Sequence, residues 1–526
     1  MTGSALDPAV AFNRAIAAYK AGQLSEAEQI CQQIISGFPD HFDATHVLAV
    51  VQAAQRKNEL ALATYDRALV LRPDHADVLN NRGNTQLALN RFHDALESYD
   101  RALALRKDYP EAHSNRGSVL ERLNRLDEAL ASYDRAVALR PNFVEALYNR
   151  GNTLKALKRF EDALVSYDRA LALQPKHADA HNNRGQVLKE LMRYDEALKS
   201  YDSAIAVQPE HVMAHCNAAA LRLLTGDFNR GWIDYEWRWL KESVISTYRS
   251  FSQPIWRGDA SISGKTVLVH SEQGLGDTIQ FSRYVPMVAA AGARVVFEVQ
   301  KPLQGLMANL APSVEIVGRG DPLPPFDMHC PLLTLPLAFG TRLETIPSAK
   351  SYLQAPASHL AKWQTRLADV ARPLIGLVWS GNPRHDRDVE RSIPFRSLVP
   401  LFDARVTFIS LQKELRAGDL PILMEHPAVL NLGEGLTDFS DTAGLVSEID
   451  LVISVDTSVA HLAAALGRPT WILLTYVPDW RWMLSRDDSP WYPTVRLFRQ
   501  GASHNWDGVI AELHQAIEKI ADLGRS

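Results

Sequence analysis

The sequence predicts an α-helical repeat superhelix followed by an α/β module of two lobes. Three observations carry that reading. A 34-residue self-similarity runs from Tyr65 to Tyr201, the period is lost after Ser250, and short β-branched runs then alternate with apolar helical patterns.

The repeats come first. The strings YDRA and YDSA place Tyr65, Tyr99, Tyr133, Tyr167 and Tyr201 at steps of 34 residues, and NRG places Gly83, Gly117, Gly151 and Gly185 at the same step. Pro73, Pro141, Pro175 and Pro209 keep the register, and Lys107 breaks it. The glycines and Ala95, Ala129, Ala163 and Ala197 let paired helices approach, the tyrosines fill the gap to the next unit, and each proline ends a helix. The pattern resembles tetratricopeptide repeats (TPR). With a divergent first unit (Ala27 to Pro39) and a divergent last one at 212–245, the register gives about seven units and assigns 1–245 to the solenoid. One unit cannot bury its own apolar face, whereas stacked units share a core and wind into a superhelix with a concave groove.

One column of the first helix of each unit is polar. Asn81, Asn115, Asn149, Asn183 and Asn217 recur in register, Asn13 falls in the same register and Val47 interrupts it. An amide carries donors and an acceptor, so such a column suits capture of an extended polypeptide backbone whatever its side chains are; support of helix packing is the competing reading. The last unit carries Trp232, Trp237 and Trp239 and is expected to plug the end of the solenoid, with an aromatic sugar platform as the sharper alternative.

Residues 246–263, rich in Gly, Pro and Ser, read as a linker. TVLVHS (266–271), a glycine turn, a helical pattern and RVVFEVQ form a β–loop–α–β unit and open a first lobe at 264–357. A second lobe at 373–500 holds LIGLVWSG, ARVTFISLQ, DLVISVDTSVAHLAAALG and PTWILL, and 501–526 closes with an amphipathic helix. In parallel sheets ligands bind beyond the carboxyl ends of strands, so the expected site is a cleft between the lobes.

The loops at those ends supply the candidates. Asp277 follows Gly274 and Gly276, and with Gln273 and Gln280 the loop forms one wall; Asp277 is either a base or a helix cap. Asp456, Thr457 and Ser458 sit where a strand opens a helix, a place suited to an anion, with His461 one turn on; capping and a packed core histidine are the plain alternatives. Ser380, Gly381 and Asn382 form a second cradle. Arg391 competes with Arg384 and Arg387, or all belong to a solvated charge run. Gln412 and Lys413 follow a strand, Asp438, Asp441 and Thr442 begin a helix, and PDWRW (478–482) gates the pocket or covers the core. No GxGxxG is present, which speaks against a dehydrogenase. The histidines and the cysteines Cys31, Cys216 and Cys330 form no metal-ligand spacing, so no metal site and no cofactor is expected.

GLGDTIQFSRYVP (274–286), VWSGNP with RSIP, and above all DTSVAHLAAALGRP (456–469) resemble the ADP-heptose:lipopolysaccharide heptosyltransferase family, over roughly residues 264–500. The whole layout is similar to bacterial O-GlcNAc-transferase-like proteins and to tetratricopeptide flagellin glycosyltransferases, and the asparagine column resembles the ladder of O-GlcNAc transferases. The resemblance implies a GT-B module of two Rossmann-like lobes with a nucleotide-sugar as substrate. It implies Asp277 as catalytic base, Asp456 on sugar hydroxyls and Arg391 on phosphate.

The expected function is thus a metal-independent glycosyltransferase acting on Ser or Thr of a polypeptide, flagellin-like proteins included, held by the repeats. A saccharide- or lipid-directed enzyme and a non-catalytic scaffold are the alternatives. The net charge of −5 argues against nucleic acid as a partner. An N-terminus without a basic start and apolar run, and no run of 18 apolar residues, lead us to expect a cytoplasmic protein without a membrane span. Homo-oligomerisation is left open.

Overall fold

A computed structural model of the chain describes residues 7–241, 249–383, 388–403 and 405–523; Arg384 and Arg387 lie outside the described residues. The chain divides into two compact units, Met1–His211 and Val212–Ser526.

The first unit is six helix pairs: α1 (Pro8–Lys20) with α2 (Leu24–Gly37), α3 (Phe42–Ala54) with α4 (Asn58–Leu71), α5 (Ala76–Ala88) with α6 (Phe92–Leu105), α7 (Pro110–Arg122) with α8 (Leu126–Leu139), α9 (Val144–Ala156) with α10 (Phe160–Leu173), and α11 (Ala178–Glu190) with α12 (Tyr194–Val207). Each pair turns through one left-handed residue, at Gly22, Arg56, Asn90, Asn124, Lys158 and Met192. The next amide reaches back five residues, as in Lys57 N–H to the Gln52 carbonyl at 2.9 Å, which satisfies a helix-end carbonyl. Helix α6 ends at Leu105 like its equivalents although Lys107 stands where the others have proline, so the proline is not what stops the helix.

The recurrent strings have physical roles. A Cβ on Gly83, Gly117, Gly151 or Gly185 would stand 2.5–2.8 Å from the ring of Tyr99, Tyr133, Tyr167 or Tyr201. Each tyrosine therefore fills the space within its own pair, and Tyr65 with Val78, and Tyr99 with Val119 and Leu120, share a core with the next pair as well. The arginine of NRG reaches both ways: Arg116 Nε donates to Asp100 of the preceding pair at 2.6 Å and Nη1 to Ser132 of its own at 2.7 Å, and Arg82, Arg150 and Arg184 repeat this.

The second unit opens with a further pair, α13 (Val212–Thr225) and α14 (Phe228–Tyr235), turned at Gly226. The repeat register places this pair in the solenoid span 1–245; in the structure it packs within the second unit, because its aromatic residues are buried there. Trp232 donates to the Thr341 carbonyl at 3.0 Å and meets Trp480 edge-on at 5.4 Å, and His215 stacks on Trp237 at 3.9 Å. This is a plug.

Two parallel sheets follow. β1 (Thr266–His270), β2 (Arg294–Val299), β3 (Val314–Gly318) and β4 (Met328–Pro331) form a sheet of order β3-β2-β1-β4. β5 (Leu374–Val378), β6 (Thr407–Ser410), β7 (Val429–Asn431), β8 (Leu451–Val455), β9 (Thr470–Leu474) and β10 (Val495–Arg499) form one of order β10-β9-β8-β5-β6-β7. The helices that matter here are α15 (Leu275–Phe281), α16 (Val285–Ala290), α17 (Ala357–Leu367), α18 (Asp419–Glu425), α19 (Phe439–Glu448), α20 (Ser458–Ala465) and α21 (Asp507–Leu523). Alternation along β5 sends Ile375 and Leu377 to one core with Leu513 and Ile517 of α21, and Leu374 and Val378 to another with Trp363 of α17 and Leu445 of α19. No helix among the described residues is long and apolar enough to cross a membrane.

Strand order reverses between β1 and β4 in the first sheet and between β5 and β8 in the second. A crevice opens where connections leave in opposite directions, so the loops after β1, β5 and β8 are the places for a ligand.

Candidate functional site

The loop after β1 carries Asp277 as the third residue of α15. Its Oδ2 accepts the Gly274 N–H at 2.8 Å, so the capping role is real. Its Oδ1 accepts from Arg481 of the segment after β9, across the two lobes. Capping and an exposed role coexist because a carboxylate has two oxygens and about four lone-pair sites.

Arg481 is the centre of the arrangement. It is buried, donates from Nε to Gln280 Oε1 at 2.7 Å and from Nη1 to Asp479 Oδ1 at 2.8 Å, and lies 4.4 Å over the Trp480 ring. Burial opposes its charge, but the Asp479 and Asp277 carboxylates hold its pKa above the ordinary value.

The loops after β5 and β8 meet through Arg391. Its Nη1 donates to the Asp456 carbonyl at 3.0 Å, and a Cβ on Gly381 would stand 2.5 Å from its Nη2, so the guanidinium lies directly against Gly381. Ser380, Gly381, Arg391 and Asp456 therefore form one cluster, with Asn382 next in the chain. Burial and the charge of Asp479 push the Asp456 carboxyl up to about 6. Asp479 itself is lowered despite burial, because Arg481 answers its charge.

Thr457 is the N-cap residue of α20 but its side chain caps nothing; its hydroxyl lies 3.0 Å from Ser454 Oγ. Ser458 begins the helix, half-buried. With no side chain capping it, this N-terminus keeps its anion-favouring dipole.

His461 takes the plain role. It is buried, its Nδ1 is 2.8 Å from Tyr492 Oη, and its ring stacks on Trp482 at 5.3 Å. Burial, with the charge of Arg481, lowers its pKa to about 3, so it is a neutral packing residue whose Nε2 stands 3.7 Å from Asp456.

Several expected contacts fall elsewhere. Gln280 is fully buried beneath Arg481 and forms no wall of the acceptor loop. Gly276 is covered by His461 rather than open to a ligand. Gln412 turns inward: its Oε1 accepts Ser380 N–H at 3.2 Å and its Nε2 donates to the Glu414 carbonyl. Lys413 Nζ donates to the Thr437 carbonyl at 3.0 Å. Asp438 caps α19 through the N–H groups of Ser440 and Asp441. Gln273 is exposed, with Tyr235 Oη 3.4 Å from its Nε2. In the first unit Asn115 donates to Asn80 at 3.0 Å, Asn183 to Tyr148 and Asn152 at 3.1 and 2.9 Å, and Asn81 lies 3.3 Å from His46 Nε2, so part of the amide column is spent on its own neighbours.

Sequence reasoning missed Arg481 and Asp479. The signal was the charged pair inside PDWRW, a segment read as a whole, as a gate or as core cover, without separating Asp479 and Arg481 from their aromatic neighbours.

Comparison with known proteins agrees with the layout. Tetratricopeptide repeat models match residues 6–76, 80–142, 144–177 and 178–211, and the glycosyltransferase family 9 (heptosyltransferase) model matches 410–500, a span that includes Asp456, Thr457, Ser458, His461 and Arg481. Protein FlbA of Caulobacter vibrioides is 27% identical over 329 residues, covering 58% of this chain and 54% of FlbA, so the chain spans about half the length of that curated relative. Among solved structures, YrrB, described as a TPR protein with an unusual peptide-binding site, is 27% identical over 35% of this chain and 95% of its own, with a TM-score of 0.32. MamA is 21% identical over 31% of this chain and 95% of its own, with a TM-score of 0.30. The chain thus joins tetratricopeptide repeats to a region of the glycosyltransferase family 9 (heptosyltransferase) type.

Proposed function

We propose that this protein is a glycosyltransferase of GT-B type that moves a sugar from a nucleotide-sugar to a Ser or Thr hydroxyl of a polypeptide engaged by the repeats, without a metal. The observation that carries the reading is the meeting of the β1 loop with the family 9 segment, where Asp277 and Asp456 share the surroundings of Arg481.

In this reading Asp277 takes the proton of the acceptor hydroxyl as its oxygen attacks the anomeric carbon, and the bond to the diphosphate breaks. Arg391 and the uncapped α20 N-terminus at Thr457 and Ser458 stabilise the leaving phosphates, which removes the need for a cation. Ser380, Gly381 and Asn382 cradle the same group, and Asp456 accepts from sugar hydroxyls. The column Asn81, Asn115, Asn149 and Asn183, with Asn217 in the same sequence register, binds peptide amides through the donor and acceptor capacity its amides keep beside their internal pairs; flagellin-like acceptors fit this scheme. A saccharide acceptor is the second reading, favoured by the internal pairing of Asn115 and Asn183.

A nucleotide-sugar panel, read as nucleoside diphosphate release with added polypeptide acceptors and with EDTA, tests it. One donor should be consumed and the acceptor should gain one sugar mass, with chelation harmless. Asp277→Asn should lower kcat at least about hundredfold in the protein that remains folded at the assay temperature, whatever stability it loses with the Arg481 pair. Consumption of no donor at all would sink the transferase reading.

A further inference from the structure

The Arg481–Asp277 contact is an unusual place to bury a charge. Taking a guanidinium out of water costs several kcal/mol unless carboxylates and further hydrogen bonds answer it. Here two aspartates and one amide oxygen do so, and they come from both lobes: Asp277 and Gln280 from the first, Asp479 from the second. The arrangement still leaves Gln280 Nε2 buried without a partner. A well-packed apolar contact would join two lobes at lower cost. What the ionic contact adds is direction. Asp277 has one oxygen fixed by the Gly274 N–H and the other by Arg481, so its carboxylate plane is set from both sides of the lobe boundary. Arg481 is itself aimed by Asp479, which lies in its own turn and also accepts the Arg481 backbone N–H at 3.0 Å.

We propose that Arg481 is a positioning residue that orients the Asp277 carboxylate across the two lobes, so that the base is set only when the second lobe is in place. The proposal rests on the transferase reading. Arg481 does not act on the sugar or the diphosphate; its effect passes through Asp277 and belongs to kcat rather than to donor affinity.

The test uses the full chain and the donor that the wild type consumes, read as nucleoside diphosphate release. Arg481→Gln should lower kcat about a hundredfold, the scale of a misplaced catalytic group, with the donor KM within about threefold. Arg481→Lys, which keeps the charge but not the fork and is the safer variant for folding, should fall between. Methylguanidine added to Arg481→Ala should restore part of kcat, and should restore nothing to Asp277→Asn/Arg481→Ala. A kcat within twofold of wild type in Arg481→Gln, a loss carried by donor KM alone, or equal methylguanidine response in the double variant would overturn the role of Arg481. A wild type that consumes no donor, or a fully active Asp277→Asn, would instead remove the transferase reading or its base, and this proposal with them.

Discussion

Gly276 and His461 approach so closely that a Cβ on residue 276 would stand 2.9 Å from His461 Cδ2, with Ser458 Cα 3.4 Å away behind it. The contact joins α15 to α20, the helices that follow β1 and β8, and therefore joins the two candidate loops.

Gly276→Ala should accordingly be costly. His461 cannot yield, since Tyr492 holds its Nδ1 and Trp482 lies along its face. Overpacking of this kind costs about 1–3 kcal/mol, more than the roughly 0.5–1 kcal/mol that alanine gains over glycine in a helix. The urea midpoint should fall and turnover should drop at least tenfold. A variant as stable and active as wild type would show that the two helices have slack.

Asp456 gives a pH signature of defined sign. Its carboxyl is raised from 3.8 to about 6 by burial and by Asp479. Between about pH 4 and 6 the folded protein holds a proton that the unfolded chain has released, so this group's contribution is fully present below pH 4 and is lost as pH rises through 6. Buried His461, lowered to about 3, acts in the opposite sense, losing stability as pH falls below its unfolded value near 6.5. The difference between Asp456→Asn and wild type isolates the aspartate: the variant should gain stability relative to wild type on going from pH 4 to pH 7. Urea midpoints across that range measure it, and parallel curves would contradict the assigned environment.

The repeats were legible because period and packing coincide: Gly83 and Tyr99 recur at the spacing at which they touch. Gly22, Asn90, Asn124 and Gly226 are of the residue types that favour the left-handed turn of a pair, whereas Arg56, Lys158 and Met192 adopt the same backbone without the residue type that announces it. In the second unit, strand ends pointed to Asp277, Ser380 and Asp456, since β-branched runs stopping at small or acidic residues mark them. Their partners were not legible. Arg481 lies 204 positions from Asp277, and nothing local says that a guanidinium between two tryptophans turns toward another lobe. Gln280 beside the glycine loop and Gln412 after a strand looked like ligands by position; burial decided otherwise, and burial is a property of the whole fold.

The asparagine column makes a separable prediction about acceptors. Replacing Asn81, Asn115, Asn149, Asn183 and Asn217 together by alanine should raise the KM for a polypeptide acceptor at least tenfold. Background donor hydrolysis should stay within about twofold, because the donor site is built from other residues. Asn183→Ala alone should also lower the melting temperature, since it removes the donations to Tyr148 Oη and Asn152 Oδ1, the latter keeping only Tyr167, and one lost hydrogen bond costs about 1 kcal/mol. Unchanged acceptor KM in the fivefold variant would move the column to packing.

Arg238 and Glu272 provide the sharpest stability test. Arg238 follows α14 and Glu272 follows β1, five residues before Asp277; both are buried, and the guanidinium grips the carboxylate through Nε and Nη2 at 2.9 and 3.0 Å. Leu333 N–H donates to the same carboxylate at 2.8 Å. Burial raises the Glu272 pKa while Arg238 pulls it down, so the pair is ionic only as long as both partners stay. Glu272→Gln leaves a buried cation answered by Glu236 alone and should cost about 3–5 kcal/mol, whereas Arg238→Met/Glu272→Leu should recover part of that loss, Glu236 keeping Arg257 as its partner. Turnover should not recover with stability in the double variant, because Glu272 anchors the loop that presents Asp277. Denaturant unfolding and donor turnover on the same preparations separate the two effects; a double variant that regains both would reduce the pair to packing.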